Sequence, residues 1–429
     1  MMRDGGALPG PTLEAIMNDG VPEPTGPLAG ITILDFTRFQ QGTFGTLLLA
    51  DLGAEVIKVE QPGGDPGRSL GNHVDGFSSY FESLNRNKRS ICIDLRRPEG
   101  RDVVKRLARR ADVVAENFRP GTMEKLGLGY EELSKENPAL IFASASMFGP
   151  RGPRGRDPGY DTIAQAAGGM MMFNRRFNKA LGATDDSPRP AQPGSADQVG
   201  GMMFAHGMLA ALVHRLRTGR GQKVDVSLYG SQIALQSIHF TQALHHAPLR
   251  PPGQSSAVLS HRAVCGDGLW IAFGFLEKSK WPNFARGLGL DELIDDPRFA
   301  TPEGRGKNHG ELVEIIDATV IQRPAAEWIE QLRANDCPCT IAQDYAMIAE
   351  DEQALANGYV AVYEHPKGTV KAPGLVATLE DSPASIRRRA PLLPGEHTRE
   401  ILCEAGFADD EIAALIAAGA VACAEGVPA

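Results

Sequence analysis

The carboxylate of Asp197 is a candidate nucleophile. It stands in the segment PAQPGSADQVGGMMFAHGMLAALVHRL, where small residues surround it and a long apolar run follows. An ionised carboxylate can attack an acyl group and form a covalent intermediate, and small neighbours leave room for a bulky electrophile. Those neighbours are Gly194, Ser195, Ala196, Gly200 and Gly201.

The same aspartate has a purely structural interpretation as a helix cap. From Gln198 to about Leu216 the apolar residues follow helical spacing, which predicts a helix that begins just after Asp197. An aspartate at that position accepts hydrogen bonds from the first backbone N–H groups. Because a helix N-terminus favours negative charge, we expect this carboxylate to be ionised with a low pKa. The residue pattern by itself leaves both roles open.

Alternating strands and helices predict the scaffold that positions this segment. Residues 31–36 (ITILDF) are a short apolar run, 42–54 follow a helical pattern, and 55–60 (EVIKVE) predict a second strand. Strand, helix and strand in that order form a βαβ unit. The pattern continues with strands at 90–95, 112–117 and 139–149 and a helix at 98–111. We therefore expect a doubly wound parallel sheet, with ligands at the carboxyl ends of its strands.

The composition is that of an ordinary globular protein and excludes several classes of function. With a formal net charge of -9 over 429 residues, nucleic acid is not an expected partner. The first strand is followed by TRFQQGTFG, which lacks the Gly-x-Gly-x-x-Gly of dinucleotide enzymes, and the P-loop, Gly-x-Ser-x-Gly and His-Glu-x-x-His motifs are absent. The N-terminus has no apolar core and no apolar run reaches about 18 residues, so neither a signal peptide nor a membrane span is expected.

The six cysteines are interpreted as reduced thiols of a cytoplasmic protein. Only Cys337 and Cys339 are close in sequence, and no second pair completes a zinc site. The adjacent His245 and His246 fall in an expected loop, where their side chains would point two ways. These residues therefore predict no metal centre.

Ordered sequence blocks over residues 26–429 resemble the family III CoA-transferases, the CaiB/BaiF family that includes formyl-CoA transferase. The opening PLAGITILDFTRFQQGTFGTLLLADLGAEVIKVEQPGGD is similar to that of the family, and the next two blocks are LNRNKRSICIDLRRPEGRD and ADVVAENFRPGTMEKLGLGYEEL. GYDTIAQAAGGMM, HRLRTGRGQKVDVSLYGSQ, DDPRFATPEGR and RAPLLPGEHTREIL complete the order. The resemblance implies that the protein exchanges CoA between two carboxylic acids.

The resemblance also implies roles for particular residues. The family's catalytic aspartate lies at the start of the helix after AQAAGG, and that position is Asp197 here. Arg96 is the implied partner of an adenosine phosphate, and Tyr160 would lie near the thioester. The full set of implied CoA-binding residues is Gln40, Gln41, Arg96, Asn117, Phe118, Lys125 and Tyr160.

The implied mechanism is covalent. Asp197 would attack the donor thioester to give a mixed anhydride, and the CoA thiolate would convert this anhydride to an aspartyl-CoA thioester. The acceptor acid would then reverse both steps. Backbone N–H groups near Gly200 and Gly201 are the expected donors to the oxyanion. CoA thioesters enter as substrates, and no metal or redox cofactor stays bound.

The fold that the resemblance implies is a Rossmann-like large domain built from both chain ends plus a small α+β domain. Two chains would form a homodimer of interlocked rings, with the active site between the large domain of one chain and the small domain of the other. The protein is expected in the cytoplasm, without nucleic-acid or membrane partners. The expected boundaries are an N-terminal arm at 1–26, large-domain segments at 27–229 and 356–429, a small domain at 259–332, and linkers at 230–258 and 333–355.

Two departures from the family pattern affect the expected site. After EVIKVE the family often has a basic residue, whereas this chain has Gln61, which leaves Arg68 as the alternative phosphate partner. Formyl-CoA transferase has a glycine-run loop over the aspartate, and the comparable segment here, RPPGQSS, has only Gly253. The shielding of the intermediate and the identity of the two acids therefore stay open.

Two other functions are alternatives to CoA transfer. An α-methylacyl-CoA racemase of the same family needs a histidine at the position of Tyr160. Tyrosine is a poor base near neutral pH because its ordinary pKa is about 10. The other alternative is a non-catalytic CoA-binding subunit of a heteromeric transferase, and the intact Asp197 argues against it.

Overall fold

The computed structural model describes residues 25–71, 73–74, 77–180, 187–245, 259–275, 277–366 and 368–424. His246, the segment RPPGQSS and nearly all of the predicted N-terminal arm lie outside these residues. The chain divides into two compact units, of which the first comprises Met1–Arg175, Ser187–Ser237 and Gln353–Ala429 and the second Arg176–Asp186 and Ile238–Glu352. The domain boundaries expected from the sequence remain predictions.

The strands and helices are numbered along the chain. The strands are β1 (Thr32–Asp35), β2 (Glu55–Glu60), β3 (His73–Val74), β4 (Phe77–Ser78), β5 (Lys88–Ile93), β6 (Val113–Glu116), β7 (Ile141–Ser146), β8 (Lys223–Ser227), β9 (Leu259–Val264), β10 (Trp270–Phe275), β11 (Cys339–Ile341), β12 (Val360–Tyr363), β13 (Val370–Pro373) and β14 (Val421–Ala422). The helices are α1 (Gln41–Asp51), α2 (Ser79–Asn85), α3 (Pro98–Ala108), α4 (Thr122–Lys125), α5 (Tyr130–Glu136), α6 (Asp161–Ala167), α7 (Met170–Ala180), α8 (Ser195–Thr218), α9 (Leu228–Leu235), α10 (Ser237–Leu244), α11 (Trp281–Gly287), α12 (Pro302–Lys307), α13 (His309–Val320), α14 (Ala325–Ala334), α15 (Tyr345–Ala349), α16 (Glu352–Ala356), α17 (Thr398–Glu404) and α18 (Asp409–Ala417).

Seven strands form the main sheet, in the order β14-β5-β2-β1-β6-β7-β8. The neighbouring pairs are parallel except that β14 pairs antiparallel with β5, through Val421 and Ile93. The parallel sheet expected from the sequence is confirmed. The edge strand β14 is an addition, because a strand of only two residues has no periodicity that a sequence can display.

The central strands β1 and β6 of the main sheet are covered on both faces, which agrees with the apolar residues in the middle of each strand. Ile33 and Val113 face a core layer that includes residues of α1 and α8. Their neighbours Leu34 and Val114 face the opposite layer, with residues of α3 and α17. Successive strand residues alternate between two helical layers, as a doubly wound fold requires.

Helices α1 and α8 pack with glycine at the contact. A Cβ atom on Gly201 would lie 2.7 Å from the carbonyl oxygen of Gln41, and one on Gly45 would lie 2.9 Å from the carbonyl oxygen of Gly201. Only glycine permits this backbone approach. The contact brings the N-terminal turns of the two helices together, so the residues that precede α1 reach the start of α8.

Helix α8 is long and apolar enough, by length and composition alone, to cross a membrane. The expectation that no stretch of the chain qualifies is therefore wrong for this helix. Its Phe204, Met208 and Leu212 lie in the core beside the sheet. A core helix of a globular protein meets the same criterion, and this packing accounts for the apolar residues on the buried face of α8.

The second unit contains a three-stranded antiparallel sheet in the order β11-β10-β9, with a core that includes Phe284 and Trp328. The predicted linkers are not irregular throughout. The first contains most of α9 and all of α10, and the second contains β11 and α15. These elements show little periodicity in the sequence because α10 and α15 bury none of their residues.

We expect Gly201→Ala to destabilise the protein by about 1–3 kcal/mol, since its new methyl group meets a backbone oxygen that cannot move without shifting α1. The matched control is Gly310→Ala in α13, where a Cβ meets nothing within 4 Å. That change should gain up to about 1 kcal/mol from helix propensity. Urea unfolding of both variants measures the difference, and equal effects would contradict the close contact of α1 with α8.

Candidate active site

The strand order reverses between β1 and β6, so the crevice at their carboxyl ends is the expected place for a ligand. Asn117, after β6, ties the two ends together. Its side-chain oxygen accepts from the N–H of Arg38 at 2.8 Å, and its amide donates to the Arg38 carbonyl at 2.8 Å. The Arg38 guanidinium lies 4.6 Å from the centre of the Phe118 ring, a cation–π contact. Two of the predicted CoA-binding residues, Asn117 and Phe118, therefore hold the turn that leads to Gln40.

Glu116 fixes the start of the same crevice from within β6. Its Oε2 accepts the backbone N–H of Phe118 at 2.7 Å. Burial raises the pKa of Glu116 to about 7, against the lowering effect of a hydrogen bond with Ser144. No pattern in the sequence distinguished this glutamate from an ordinary strand residue.

Asp197 is the third residue of α8 and not its cap. The helix begins at Ser195, and its N-cap is Gly194 at a φ of 82°, a left-handed conformation that favours glycine. The first amides are bound instead by Asp161 of α6, whose Oδ1 accepts from the N–H of Ala196 at 2.7 Å and from that of Asp197 at 3.3 Å. The prediction of a capping role for Asp197 is therefore wrong, and its carboxylate is left available for chemistry.

Gln165 holds Asp161 and the segment before α8 in one arrangement. Its amide nitrogen donates to Asp161 Oδ2 at 2.8 Å and to the Gln192 carbonyl at 2.9 Å. Its amide oxygen accepts from the N–H of Ala191 at 2.9 Å. Since Gln165 is fully buried, these bonds fix the approach of the chain to Gly194.

The pKa of Asp197 is raised to about 7, first by burial and then by the negative charge of Asp161. The expectation of a low pKa is wrong for a specific reason. A helix N-terminus favours an anion, but here the first amides of α8, those of Ala196 and Asp197, donate to Asp161. Asp197 is thus a poorly solvated carboxylate that changes its charge near neutral pH.

Gly200 and Gly201 serve a different purpose from the one predicted. They are the sixth and seventh residues of α8, so their N–H groups belong to the helical hydrogen-bond ladder and are not free for an oxyanion. A Cβ on Gly200 would lie 3.0 Å from the amide nitrogen of Gln41, and one on Gly201 would lie 2.9 Å from the Phe44 ring. These glycines therefore allow α1 to pack closely against α8. The prediction that they leave room for an electrophile is wrong.

Gln40 and Gln41 both lie against the N-terminal part of α8. A Cβ on Gly194 would lie 2.7 Å from Gln40 Nε2, so the Gln40 amide sits at the helix start. Gln41 is 5% exposed, and its Nε2 has no hydrogen-bond partner among the described residues. The structure thus brings these two residues close to the helix that carries Asp197.

The remaining predicted CoA-binding residues lie at the surface. Arg96 follows β5, and its exposed guanidinium bonds the carboxylate of Asp94 at 2.8 Å. Lys125 ends the short helix α4 and is exposed. Tyr160 directly precedes α6 and is 68% exposed, next to Asp161. Among the described residues, no hydrogen bond or ion pair joins Arg96, Lys125 or Tyr160 to Asp197.

Tyr80 is a site residue that the sequence interpretation missed. Burial raises the pKa of its phenol, and the charges of Asp197 and Asp65 raise it further, so the ring lies within the electrostatic reach of both carboxylates. In the sequence Tyr80 stands just before the block LNRNKRSICIDL. A lone tyrosine in that position has no pattern that separates it from a packing residue.

Arg68 is not available as the alternative phosphate partner. Its Nε and Nη2 bond both oxygens of Glu60 at 2.7 Å, and its Nη1 donates to the carbonyls of Pro391 and Leu392. The guanidinium also covers the Phe81 ring at 3.9 Å. The guanidinium of Arg68 is occupied by Glu60 and by the C-terminal segment. It therefore does not replace the basic residue that the family often has at the position of Gln61.

The described residues include no group of three or more His, Cys, Asp or Glu side chains placed to hold a metal ion. All six cysteines are free. The groups gathered near the start of α8 are the carboxylates of Asp197 and Asp161 and the amide of Gln40.

Residues 28–398 match the model of the CoA-transferase family III, and the chain belongs to this family. The chain is 36% identical over 386 residues to succinyl-CoA:glutarate CoA-transferase of Mus musculus, an alignment that covers 88% of this chain and 86% of that protein. It is 35% identical to succinyl-CoA–D-citramalate CoA-transferase of Chloroflexus aurantiacus, over 91% of this chain and 97% of that one. Its enzyme class is accordingly that of a CoA-transferase.

A solved structure supports the same assignment. The chain superposes on a CaiB/BaiF family protein from Brucella suis with a TM-score of 0.77 and 31% sequence identity, over 89% of this chain and 99% of that one. The resemblance inferred from the sequence motifs is therefore confirmed at the level of the family.

We expect Asp197→Asn to stabilise the protein above neutral pH. The folded-state pKa of about 7 exceeds the ordinary 3.8, so between these values the folded state holds a proton that the unfolded state has lost, and stability falls as pH rises. About 3 pKa units correspond to at most about 4 kcal/mol. Unfolding free energies should favour the variant by a few kcal/mol at about pH 8 and converge with wild type near about pH 4.

Two variants control this experiment. Asp161→Asn keeps an oxygen for the α8 amides and removes the like charge, so it should move the same transition to lower pH. Asp410→Asn alters an exposed carboxylate in α18 and should leave the pH dependence as it is. A pH-independent effect of Asp197→Asn would contradict a buried carboxylate that titrates near neutrality.

Proposed function

We propose that this CoA-transferase moves CoA from succinyl-CoA to a dicarboxylic acid through a covalent intermediate on Asp197. The observation that carries the proposal is the poorly solvated carboxylate of Asp197 at the start of α8, with the Gln40 amide beside Gly194. The two relatives named above use succinyl-CoA according to their names. Their acceptors are glutarate and D-citramalate, so the acceptor proposed here is a short dicarboxylate of that kind.

The reaction proceeds by four acyl transfers. Asp197 attacks the succinyl thioester carbonyl, which forms a mixed anhydride and releases the CoA thiolate. The thiolate attacks the aspartyl carbonyl, so an aspartyl-CoA thioester forms and succinate leaves with one oxygen from Asp197. The acceptor carboxylate then attacks the aspartyl thioester and again releases the thiolate. The thiolate finally attacks the acceptor's carbonyl, which gives the new CoA thioester and restores the Asp197 carboxylate.

The environment of Asp197 suits this sequence of steps. Asp197 is partly buried, so less water must be removed from its carboxylate before it attacks. Above a pH of about 7 most of it is ionised and ready to react. Because Asp161 is tied by Gln165 and the α8 amides, it keeps its position as the charge on Asp197 disappears and returns.

CoA would lie along the carboxyl ends of β1, β5 and β6. Asn117 and Phe118 line the crevice where the strand order reverses, and Gln40 and Gln41 lead from it to Asp197. Arg96 and Lys125 are the proposed partners of the CoA phosphates, since both are exposed basic residues that follow a strand end or a short helix. Tyr160 would contact the thioester end because it adjoins Asp161.

Racemisation of an α-methylacyl-CoA is the second candidate within the family. Tyr160 occupies the position where that reaction needs a histidine. Tyr160 is 68% exposed, and a tyrosine side chain is a poor base near neutral pH. A non-catalytic subunit is disfavoured because Asp197 keeps the burial and the neighbours that a nucleophile needs.

We further propose a homodimer of interlocked chains in the cytoplasm. The exposed apolar side chains of α10 support an oligomer, because Ile238, Phe240 and Leu244 are all exposed and such clusters usually mark an interface. The large-domain and small-domain boundaries expected from the sequence belong to the same proposal.

Incubation with succinyl-CoA and no acceptor should leave a hydroxylamine-sensitive group on Asp197, because an aspartyl thioester or anhydride forms and has no acid to receive it. Peptide mass mapping should place the hydroxamate between Pro193 and Arg215. Asp197→Ala should lose transfer and keep its CoA affinity within about twofold.

The matched control for trapping is Asp161→Asn, which should still be modified at Asp197. Modification of Asp161 in wild type, with Asp197 unchanged, would overturn the assignment of the nucleophile and keep the reaction class.

The oligomer has its own test. Interlocked chains separate only after substantial unfolding, so sedimentation should show a dimer at concentrations on the order of nanomolar, where ordinary weak dimers dissociate by mass action. A natively folded monomer at that dilution would contradict the interlocked arrangement.

A further inference from the structure

Lys88 and Asp35 form an ion pair that is wholly enclosed beneath the turn between β1 and α1. Neither side chain is exposed, and Lys88 Nζ lies 2.9 Å from Asp35 Oδ2. The same Nζ donates to the Thr43 carbonyl at 3.0 Å and to the Thr46 hydroxyl at 2.8 Å. All three hydrogens of the ammonium group are therefore used, and two of them hold α1.

Asp35 holds the beginning of the turn with its other oxygen. Oδ1 accepts from the N–H of Thr37 at 2.9 Å and from the Thr37 hydroxyl at 2.5 Å. Oδ2 accepts from the Thr46 hydroxyl at 2.8 Å. One carboxylate thus connects the end of β1, the first turns of α1 and, through Lys88, the start of β5.

A second buried ion pair supports the turn from β2. Lys58 Nζ lies 2.6 Å from Asp65 Oδ2 and donates to the Thr37 carbonyl at 3.0 Å. Thr37 is therefore bound at its N–H, its hydroxyl and its carbonyl. These bonds leave the first residue of the turn little freedom to move.

The turn needs such support because its conformation is unfavourable. Phe39 has a φ of 59°, a left-handed backbone that a bulky residue adopts only when its surroundings enforce it. Its side chain is half exposed, so packing of the ring does not supply that enforcement. The next residue is Gln40, whose amide lies against Gly194 at the start of α8.

We propose that Lys88 and Asp35 are positioning residues for CoA transfer, which fix the turn so that Gln40 and Gln41 meet the CoA thioester beside Asp197. This inference rests on the proposed function. A buried ion pair often adds little net stability, because removing both charges from water offsets their attraction. Burial lowers the pKa of Lys88 to about 8 although Asp35 acts to raise it. The charged form of this lysine is therefore unfavourable in its buried position. A positioning role accounts for two charges kept in that location.

The test uses two variants of the full-length protein. Thr46→Val removes one hydroxyl from the network without changing its volume, and Asp35→Asn with Lys88→Met removes both charges together. Hydrogen exchange should quicken in the amides of residues 37–43 in both variants. For succinyl-CoA, kcat/KM should fall by about tenfold or more, with a rise in KM. The double variant should be more stable than Lys88→Met alone, because no unpaired charge remains buried, yet stay impaired in kcat/KM.

The control is Arg86→Met, which removes another buried ion pair, the one with Asp51 at the far end of α1. It should lower the stability and leave both the exchange of residues 37–43 and kcat/KM unchanged. The inference is overturned if the network variants exchange these amides at the wild-type rate. It is also overturned if exchange quickens while kcat/KM stays at the wild-type value. A third contradicting result is a double variant that is more stable than Lys88→Met and has the kcat/KM of wild type.

The proposed function can fail separately. If wild type binds CoA but transfers it between no pair of acids, the proposed function is wrong. The affinity for CoA measured by calorimetry then replaces kcat/KM. Loss of affinity in the network variants, but not in Arg86→Met, supports the positioning of the turn, and wild-type affinity in all of them overturns it.

Discussion

Two backbone N–H groups at the start of α8 donate hydrogen bonds to Asp161. The electrostatic environment of Asp197 depends on these two bonds. A carboxylate that accepts hydrogen bonds from the first amides of a helix is stabilised in its charged form. Because Asp161 takes them, Asp197 is left with burial and a like charge, and its pKa rises to about 7. The helix N-terminus thus binds the carboxylate of Asp161, and Asp197 is the nucleophile in the mechanism proposed above.

This arrangement requires that several elements end at one place. The strand order reverses between β1 and β6, which opens a crevice at their carboxyl ends. Glycines at the contact let α1 approach α8 closely enough for Gln40 to reach Gly194. The turn between β1 and α1 is bound from β5 by Lys88 and from β2 by Lys58. Each contact acts on backbone or on buried polar groups, so small changes there would displace the site.

Much of the frame could be predicted from the sequence, because strands buried on both faces are short apolar runs and βαβ units repeat them in order. The segments near α10 and α15 could not, since helices that bury no residue show no periodicity. Within the site, Asp197 was identifiable from its small neighbours and the family motifs. Its environment was not, because Tyr80 comes from a distant part of the chain and only the fold shows that Asp161 binds the first amides of α8. The glycines of α8 illustrate the same limit: the sequence shows that space exists at Gly200 and Gly201, and only the fold shows that Gln41 and Phe44 fill it.

In the proposed mechanism Asp197 forms covalent bonds with both acids in turn, and an oxygen label distinguishes this route from a direct reaction between acceptor and donor. In the proposed mechanism each acceptor acid leaves one of its carboxylate oxygens on Asp197, and this oxygen later departs with succinate. The enzyme should be allowed to turn over in ordinary water with an acceptor labelled with heavy oxygen at its carboxylates, and the peptide that contains Asp197 should then be weighed by mass spectrometry. The account predicts heavy oxygen in that peptide and, after further turnovers, in the released succinate. Heavy oxygen in succinate but none in the Asp197 peptide would show that acceptor and donor react directly, and would contradict the covalent role of Asp197.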